Sequence, residues 1–300
     1  MVSNGRRALF FLFLFTAGLL IPTAAQEPAS QQQPKIDWQV GPGTGHLGDI
    51  AEINIPDGYR FTGKEGAKTV LRITQNPASG KELGAMIPAS GNGSWFMIFE
   101  FEDSGYVKDD DKNNLDADSI LKNIKNGTES SNEARKANGW KPFHVTGWQT
   151  TPYYDPETHN LTWAILGRGD DPTDSGSVNH SIRVLGRRGT MNVDLVVSPN
   201  EYSSIKPEFN TLMSGFSFSQ GSRYADFRAG DKVAKYGLAA LIAGGAGAVL
   251  LKTGLLAKFW KLILVAIVAI GGFIKKIFKS IFGGNETKIE DPNKQAAAQG

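Results

Sequence analysis

From residue 51 the chain alternates. Ala51, Ile53 and Ile55 are separated by Glu52 and Asn54 and stopped by Pro56-Asp57-Gly58, which predicts a half-buried strand. Between Lys64 and Gln75 the period lengthens, with Ala67, Val70, Leu71 and Ile73 on one side of a short amphipathic helix. Trp95 to Phe101 is apolar on both faces until Glu100, the pattern of a central strand. Asp116 to Asn138 keeps helical spacing through Ile120, Leu121, Ile124 and Ala134, with Asp116 or Asp118 to cap its start and Gly139 to end it. Four strands follow as two hairpins, His144–Gln149 with Leu161–Leu166 and Val178–Leu185 with Thr190–Val197. A helix over about Lys206 to Ser214 and a short strand at Phe216–Phe218 complete the set. Tight connections between alternating strands predict an antiparallel sheet rather than βαβ crossovers, so the expected class is α+β, a mainly antiparallel sheet flanked by helices.

The two ends follow a different pattern. Arg6 and Arg7 precede a charge-free run of 14 residues, Ala8 to Ile21, then Pro22 and the small residues Thr23-Ala24-Ala25. A basic start, a short apolar run and small residues predict a signal peptide over residues 1–25. As a helix the run would reach only about 21 Å, short of the ~30 Å hydrocarbon core. Polar residues 26–36 read as a flexible lead-in to a domain over 37–230. Near the other end, Tyr236 to Leu251 and Leu262 to Ile274 are charge-free, separated by Lys252, Lys258 and Lys261 and closed by Lys275, Lys276 and Lys279. They predict a transmembrane region over 231–282, as a helical hairpin at about 233–251 and 255–274. Three lysines on each side leave the positive-inside rule undecided. Ala240, Gly244 and Ala248 recur every fourth residue, a small-residue stripe that would let one membrane helix approach another. Residues 283–300 read as a disordered tail.

Charge sharpens this division. Residues 1–25 carry a net +2, residues 26–232 a net −6 and residues 233–300 a net +6, within an overall +2. A nucleic-acid binder needs a basic folded domain, and this one is acidic. The absence of cysteine across 300 residues excludes disulfides, cysteine-ligated metals and thiol catalysis. The expected arrangement is a membrane anchor with the main domain outside the cytoplasm.

Candidate chemistry is sparse. Gly43-Thr44-Gly45-His46-Leu47-Gly48 spells GxGxxG, but a strand and Pro56 follow it where a dinucleotide site needs a helix, so it reads as a glycine-rich turn. Asp109-Asp110-Asp111-Lys112-Asn113-Asn114 begins like a calcium loop. Asn114 stands in place of the required glycine and Ile120 in place of the bidentate Glu, which leaves a solvated acidic turn or an irregular cation site. No pair of the four histidines has zinc-hydrolase spacing, and His180 falls on the apolar face of its strand as a core histidine. No metal or cofactor is implied. Trp148, Tyr153, Tyr154 and Trp163 cluster in sequence around the first late hairpin. With Asp155, Arg183 and Arg187 they form the candidate binding surface for a glycan or peptide, against the alternative that the aromatics fill the core.

Several stretches together resemble a bacterial membrane-anchored family known as domain of unknown function 2167. They are Gly48-Asp49-Ile50-Ala51 with Ile55-Pro56-Asp57-Gly58-Tyr59, Gly105-Tyr106-Val107-Lys108-Asp109-Asp110, Gly147-Trp148 with Pro152-Tyr153-Tyr154-Asp155, Leu161-Thr162-Trp163-Ala164, Val184-Leu185-Gly186-Arg187-Arg188-Gly189, and Tyr224-Ala225-Asp226-Phe227 leading into Asp231-Lys232-Val233-Ala234. The resemblance covers roughly residues 37–280, and implies an envelope protein without an assigned activity. The order of late strands, helix and final Phe-Ser-Phe strand is also similar to the α/β/α sandwich of PsbP and Mog1-type proteins. The expected function is a membrane-anchored binding or organising module without catalysis, its partners the membrane and an envelope protein, peptide or glycan. The alternatives are an envelope hydrolase built from Asp109–Asp111, His144 or His159, and a membrane-associated regulator.

Overall fold

The computed structural model describes residues 35–90 and 95–242. Contacts divide the chain into two units, Met1–Lys35 and Ile36–Gly300, and the fold below is that of the second. The first strands are β1 (Gln39–Val40), β2 (Gly43–Leu47), β3 (Ala51–Ile55) and β4 (Tyr59–Gly63), followed by helix α1 (Lys64–Ile73) and strands β5 (Glu82–Pro88) and β6 (Trp95–Glu102). Helix α2 (Ala117–Ala137) leads to a four-strand run of β7 (His144–Asp155), β8 (Asn160–Arg168), β9 (Ser177–Leu185) and β10 (Thr190–Val197). Helix α3 (Tyr202–Met213), β11 (Phe216–Phe218) and the start of α4 (Leu238–Ile242) close the described chain.

Eight strands form one antiparallel sheet in the order β1-β4-β5-β6-β10-β9-β8-β7, and β11-β3-β2 form a second, small sheet. The two predicted hairpins are present, joined edge to edge through β8 and β9. Strand β6 is central as its two apolar faces require, lying between β5 and β10. Alternation then sorts β9 and β10: Val178, Ile182 and Val184 face the same way as Met191, Val193, Leu195 and Val197, and all are buried. This face packs on Leu47, Ile53 and Ile55 of the small sheet and on Phe209 and Leu212 of α3 to form the main core.

The other face has two separate covers. Ala67, Val70 and Leu71 of α1 bury against Ala85 of β5 and Ile98 of β6. Ile120 of α2, with Leu238, Leu241 and Ile242 of α4, buries against Leu161, Trp163 and Leu185 at the far side. Helix α2 starts where its sequence predicts: the Asp116 carboxylate accepts from the Ser119 amide at 3.0 Å. Its second half is clamped by the buried Asn132, which donates to the Phe143 carbonyl and accepts from the Phe143 amide, each at 2.9 Å.

Three expectations change. The GxGxxG stretch is strand β2 rather than a turn, paired with β3. Gly45 is required there because a Cβ would lie 2.8 Å from the Phe61 ring. Strand β7 runs on to Asp155, with three register breaks against β8, because an edge strand tolerates bulges and Pro152. Residues 233–237 do not open a membrane helix. Tyr106 pairs with Val233, the Tyr106 amide donating to the Lys232 carbonyl at 2.8 Å and the Ala234 amide to the Tyr106 carbonyl at 2.9 Å. Among the described residues no helix is long and apolar enough to cross a membrane; the expected segment 255–274 and the tail lie outside them.

Phe209 is fully buried and meets the His180 ring edge-on at 5.2 Å. Phe209→Ala should lower the unfolding free energy by about 3–5 kcal/mol, read from the shift of a urea unfolding midpoint at unchanged slope.

Candidate functional site

The seven residues expected to form one binding surface separate in space. Trp148 donates from its indole to the Ala117 carbonyl at 3.3 Å, and with Tyr154 it packs on the second core. The Tyr154 hydroxyl meets His159 Nδ1 at 3.0 Å, and burial first, then Asp109, raises its pKa above the ordinary tyrosine value. Tyr153, one residue along an alternating strand, points the other way and is 48% exposed. Asp155 is spent on its own turn, accepting from the Glu157 amide and the Thr158 hydroxyl. Arg187 pairs with Asp231 through two parallel bonds of 2.7 and 2.8 Å, which hold the Asp231 carboxyl down at about 2. Trp163 belongs to that same second core, and Arg183 covers it: the guanidinium stands 4.7 Å over the indole ring. Of the small-residue stripe, Ala240 lies half-buried in α4, while Gly244 and Ala248 fall outside the described residues.

That pair sits at the edge of a groove. Between the cover of α1 and that of α2 with α4, the middle of the sheet is open, leaving a cavity of about 310 Å³. Its floor is a lattice fixed by strand register. One row crosses from Ile98 through Asp194 and Ser181 to Trp163, and the next from Phe96 through Val196 and Asn179 to Ile165. Glu100 and Arg183 share the row on the other side, separated by Asn192. The walls are apolar, with Leu71 and Pro77 on the α1 side and Ile124 and Ile242 opposite. The mid-sheet position of Asn179, Ser181 and Asp194 comes from strand order.

The floor is rich in acceptors. Asp194 accepts from Arg183 at 3.1 Å and from the Ser181 hydroxyl, a pair with side chains 14% and 29% exposed for Arg183 and Asp194. Among the described residues, Glu100 takes one hydrogen bond, from Ser79 Oγ at 2.8 Å, and no ion pair. Burial first, then the neighbouring Asp194, raises its pKa above the ordinary carboxylate value. Ser79 Oγ also lies 3.2 Å from Glu82 Oε1, so one hydroxyl proton is shared between two carboxylates. Glu82 is fully buried, which by itself would raise its pKa. The hydrogen bonds at its carboxylate, including those from the Ser79 and Gly80 amides, prevail and hold it below the ordinary value. Glu82 Oε2 and, in the groove, Asn179 Oδ1 have no hydrogen-bond partner among the described residues.

The remaining candidates are occupied structurally. Asp111 accepts from the Leu238 and Ala239 amides at 3.0 and 3.2 Å and so caps α4. Gly237 permits that approach, since a Cβ there would lie 2.7 Å from the carboxylate oxygens. Asp109 pairs with Lys112 at 3.2 Å. His180 is buried against the Tyr202 hydroxyl at 2.8 Å, and its pKa is pushed down to about 4 by burial. His144 lies between Glu129 and Asp170, at 2.7 and 2.8 Å, with both ring nitrogens engaged. Among the described residues no group of three or more His, Asp or Glu is arranged to hold a metal.

Comparison with known proteins gives a family and a distant structural likeness. The family described as "Protein of unknown function (DUF2167)" matches residues 39–274. No curated protein matches the chain. The solution structure of cyanobacterial PsbP (CyanoP) from Synechocystis sp. PCC 6803 is similar at 12% identity and a TM-score of 0.37, covering 65% of this chain and 99% of that one.

The Glu129 hydrogen bond, opposed by a smaller burial effect and joined by Asp170, raises the His144 pKa above its ordinary value. A raised folded-state value means that protonation stabilises the fold, fully below about pH 6.5, and that this contribution disappears as pH rises through the folded value. Melting temperatures from about pH 6 to pH 8 should therefore fall more steeply for the wild type than for His144→Gln.

Proposed function

The chain belongs to the family described as protein of unknown function DUF2167, and from that footing we propose that it is a membrane-anchored envelope protein whose exported domain binds a small ligand in the groove, without chemistry of its own. The groove carries this reading. A charged, acceptor-rich floor in the middle of a sheet, between two apolar walls, has the size and mixed lining of a ligand site rather than of a half-finished core. No observation favours the hydrolase alternative: Asp109 and Asp111 serve an ion pair and a helix cap, and His144 and His159 are hydrogen-bonded to carboxylates and to Tyr154.

Support for anchoring comes from the sequence. Leu238, Leu241 and Ile242 are buried in the domain, so the first apolar run offers lipid only residues 243–251. As a helix those would rise about 14 Å, less than half the ~30 Å core. The proposed span is therefore the second run, residues 255–274, and the location is the bacterial cytoplasmic membrane with the domain outside.

Two outcomes are expected. Full-length protein should stay with membranes through alkaline carbonate washing, whereas a chain stopped after Gly254 should be released; retention of the shortened chain would move the span to the first run. Protein purified from envelopes in mild detergent should release a small molecule on denaturation, seen by mass spectrometry. Val196→Trp, which fills the groove without removing a polar partner, should lack it at a melting temperature within a few degrees of wild type. Equal loads in both proteins would refute the groove as the binding site.

A further inference from the structure

We infer that the groove takes an organic cation, a primary ammonium carried on a linear aliphatic chain; this deepens the ligand-binding reading above and rests on it. Two carboxylates line the floor, Glu100 and Asp194, against one cation among its described lining residues, Arg183, which Asp194 already engages. Glu100 takes a single hydrogen bond, from Ser79 Oγ, and has no ion pair among the described residues, whereas Glu82, which shares that hydroxyl, lies outside the groove lining and has further donors in the Ser79 and Gly80 amides. A partly buried carboxylate with one donor and no counter-ion is under-satisfied, and a ligand bringing N–H groups and positive charge supplies what is missing. No set of three protein ligands for a metal is arranged among the described residues, which directs the choice to an organic cation.

Spacing and walls set the rest of the molecule. Register places Glu100, Asp194 and Asn179 on a diagonal across β6, β10 and β9, stepping one strand and two residues each time. Strand geometry makes each step about 8 Å between Cα atoms. A donor at the Glu100 end and a second at the unpartnered Asn179 Oδ1 would lie at opposite ends of an extended chain. Asp194, already paired with Arg183, lies at the middle of that line, while the walls beside it are aliphatic, from Leu71, Pro77, Ile124 and Ile242, which suits methylene groups rather than a sugar ring.

Three molecules of one skeleton test this on the full-length protein in detergent, by calorimetric titration: 1,6-diaminohexane, 1,6-hexanediol and hexanedioate. The diamine should bind at least tenfold more tightly than the diol, and the dianion should not bind measurably. Glu100→Gln should weaken the diamine tenfold or more and leave the diol unchanged. Its melting temperature should equal or exceed that of wild type, because a buried charge has been removed. Asn179→Leu should weaken the diamine by a smaller factor. No binding of the diamine, a diol of equal affinity, or Glu100→Gln without effect would each overturn the assignment. Equal affinities that Val196→Trp abolishes together would refute the cation while keeping the groove as the site. Diamine binding undiminished in Val196→Trp would remove the groove reading itself.

Discussion

An antiparallel sheet of eight strands has two faces, and the protein must keep the apolar parts of both away from water. On one face the centre is fully covered: Met191, Val193 and Leu195 are buried under the small sheet and α3. On the other, α1 covers β5 and β6 and the α2–α4 pair covers β8 and the end of β9, leaving the middle of β9 and β10 without a helix above it. Strands in that position need polar side chains. Asn179, Ser181, Arg183 and Asp194 satisfy this requirement, and in doing so they furnish the groove.

The acidic stretch around residue 110 has an unexpected role. Asp111 holds the first amides of α4, Tyr106 pairs with Val233, and Arg187 grips Asp231, so three separate ties fix the chain between residues 231 and 239 to the body of the domain. Helix α4 then forms part of the groove wall through Ile242. Where the sequence reads a domain ending at 230 followed by membrane, the fold continues to Ile242 with buried leucines. An apolar run has two ways to leave water, lipid or a protein core, and hydropathy does not distinguish them.

Local periodicity read some elements well. The α1 face of Ala67, Val70 and Leu71, the Asp116 cap and the alternating faces of β9 and β10 are stated by residue spacing, because each depends on neighbours within one or two turns or on strict alternation. Strands β4 and β5 were not read. Tyr59–Gly63 and Glu82–Pro88 have mixed polarity, two glycines and a bulge, and they are strands because β6 and each other supply the ladder. Of the seven surface candidates, Trp163 and Arg183 line the groove. The rest were joined by closeness in sequence, which a two-residue period turns into opposite directions for Tyr153 and Tyr154.

The residues by themselves determined the class of fold, the faces of individual strands, the absence of thiol chemistry and an acidic domain between basic, apolar ends. Tertiary structure alone decided that β6 lies against β10, since nothing local specifies which strands become neighbours across a hundred residues. That pairing sets Glu100 beside Asp194 and opens a groove between two helical covers. Long-range register, not composition, is what turned scattered polar residues into a site.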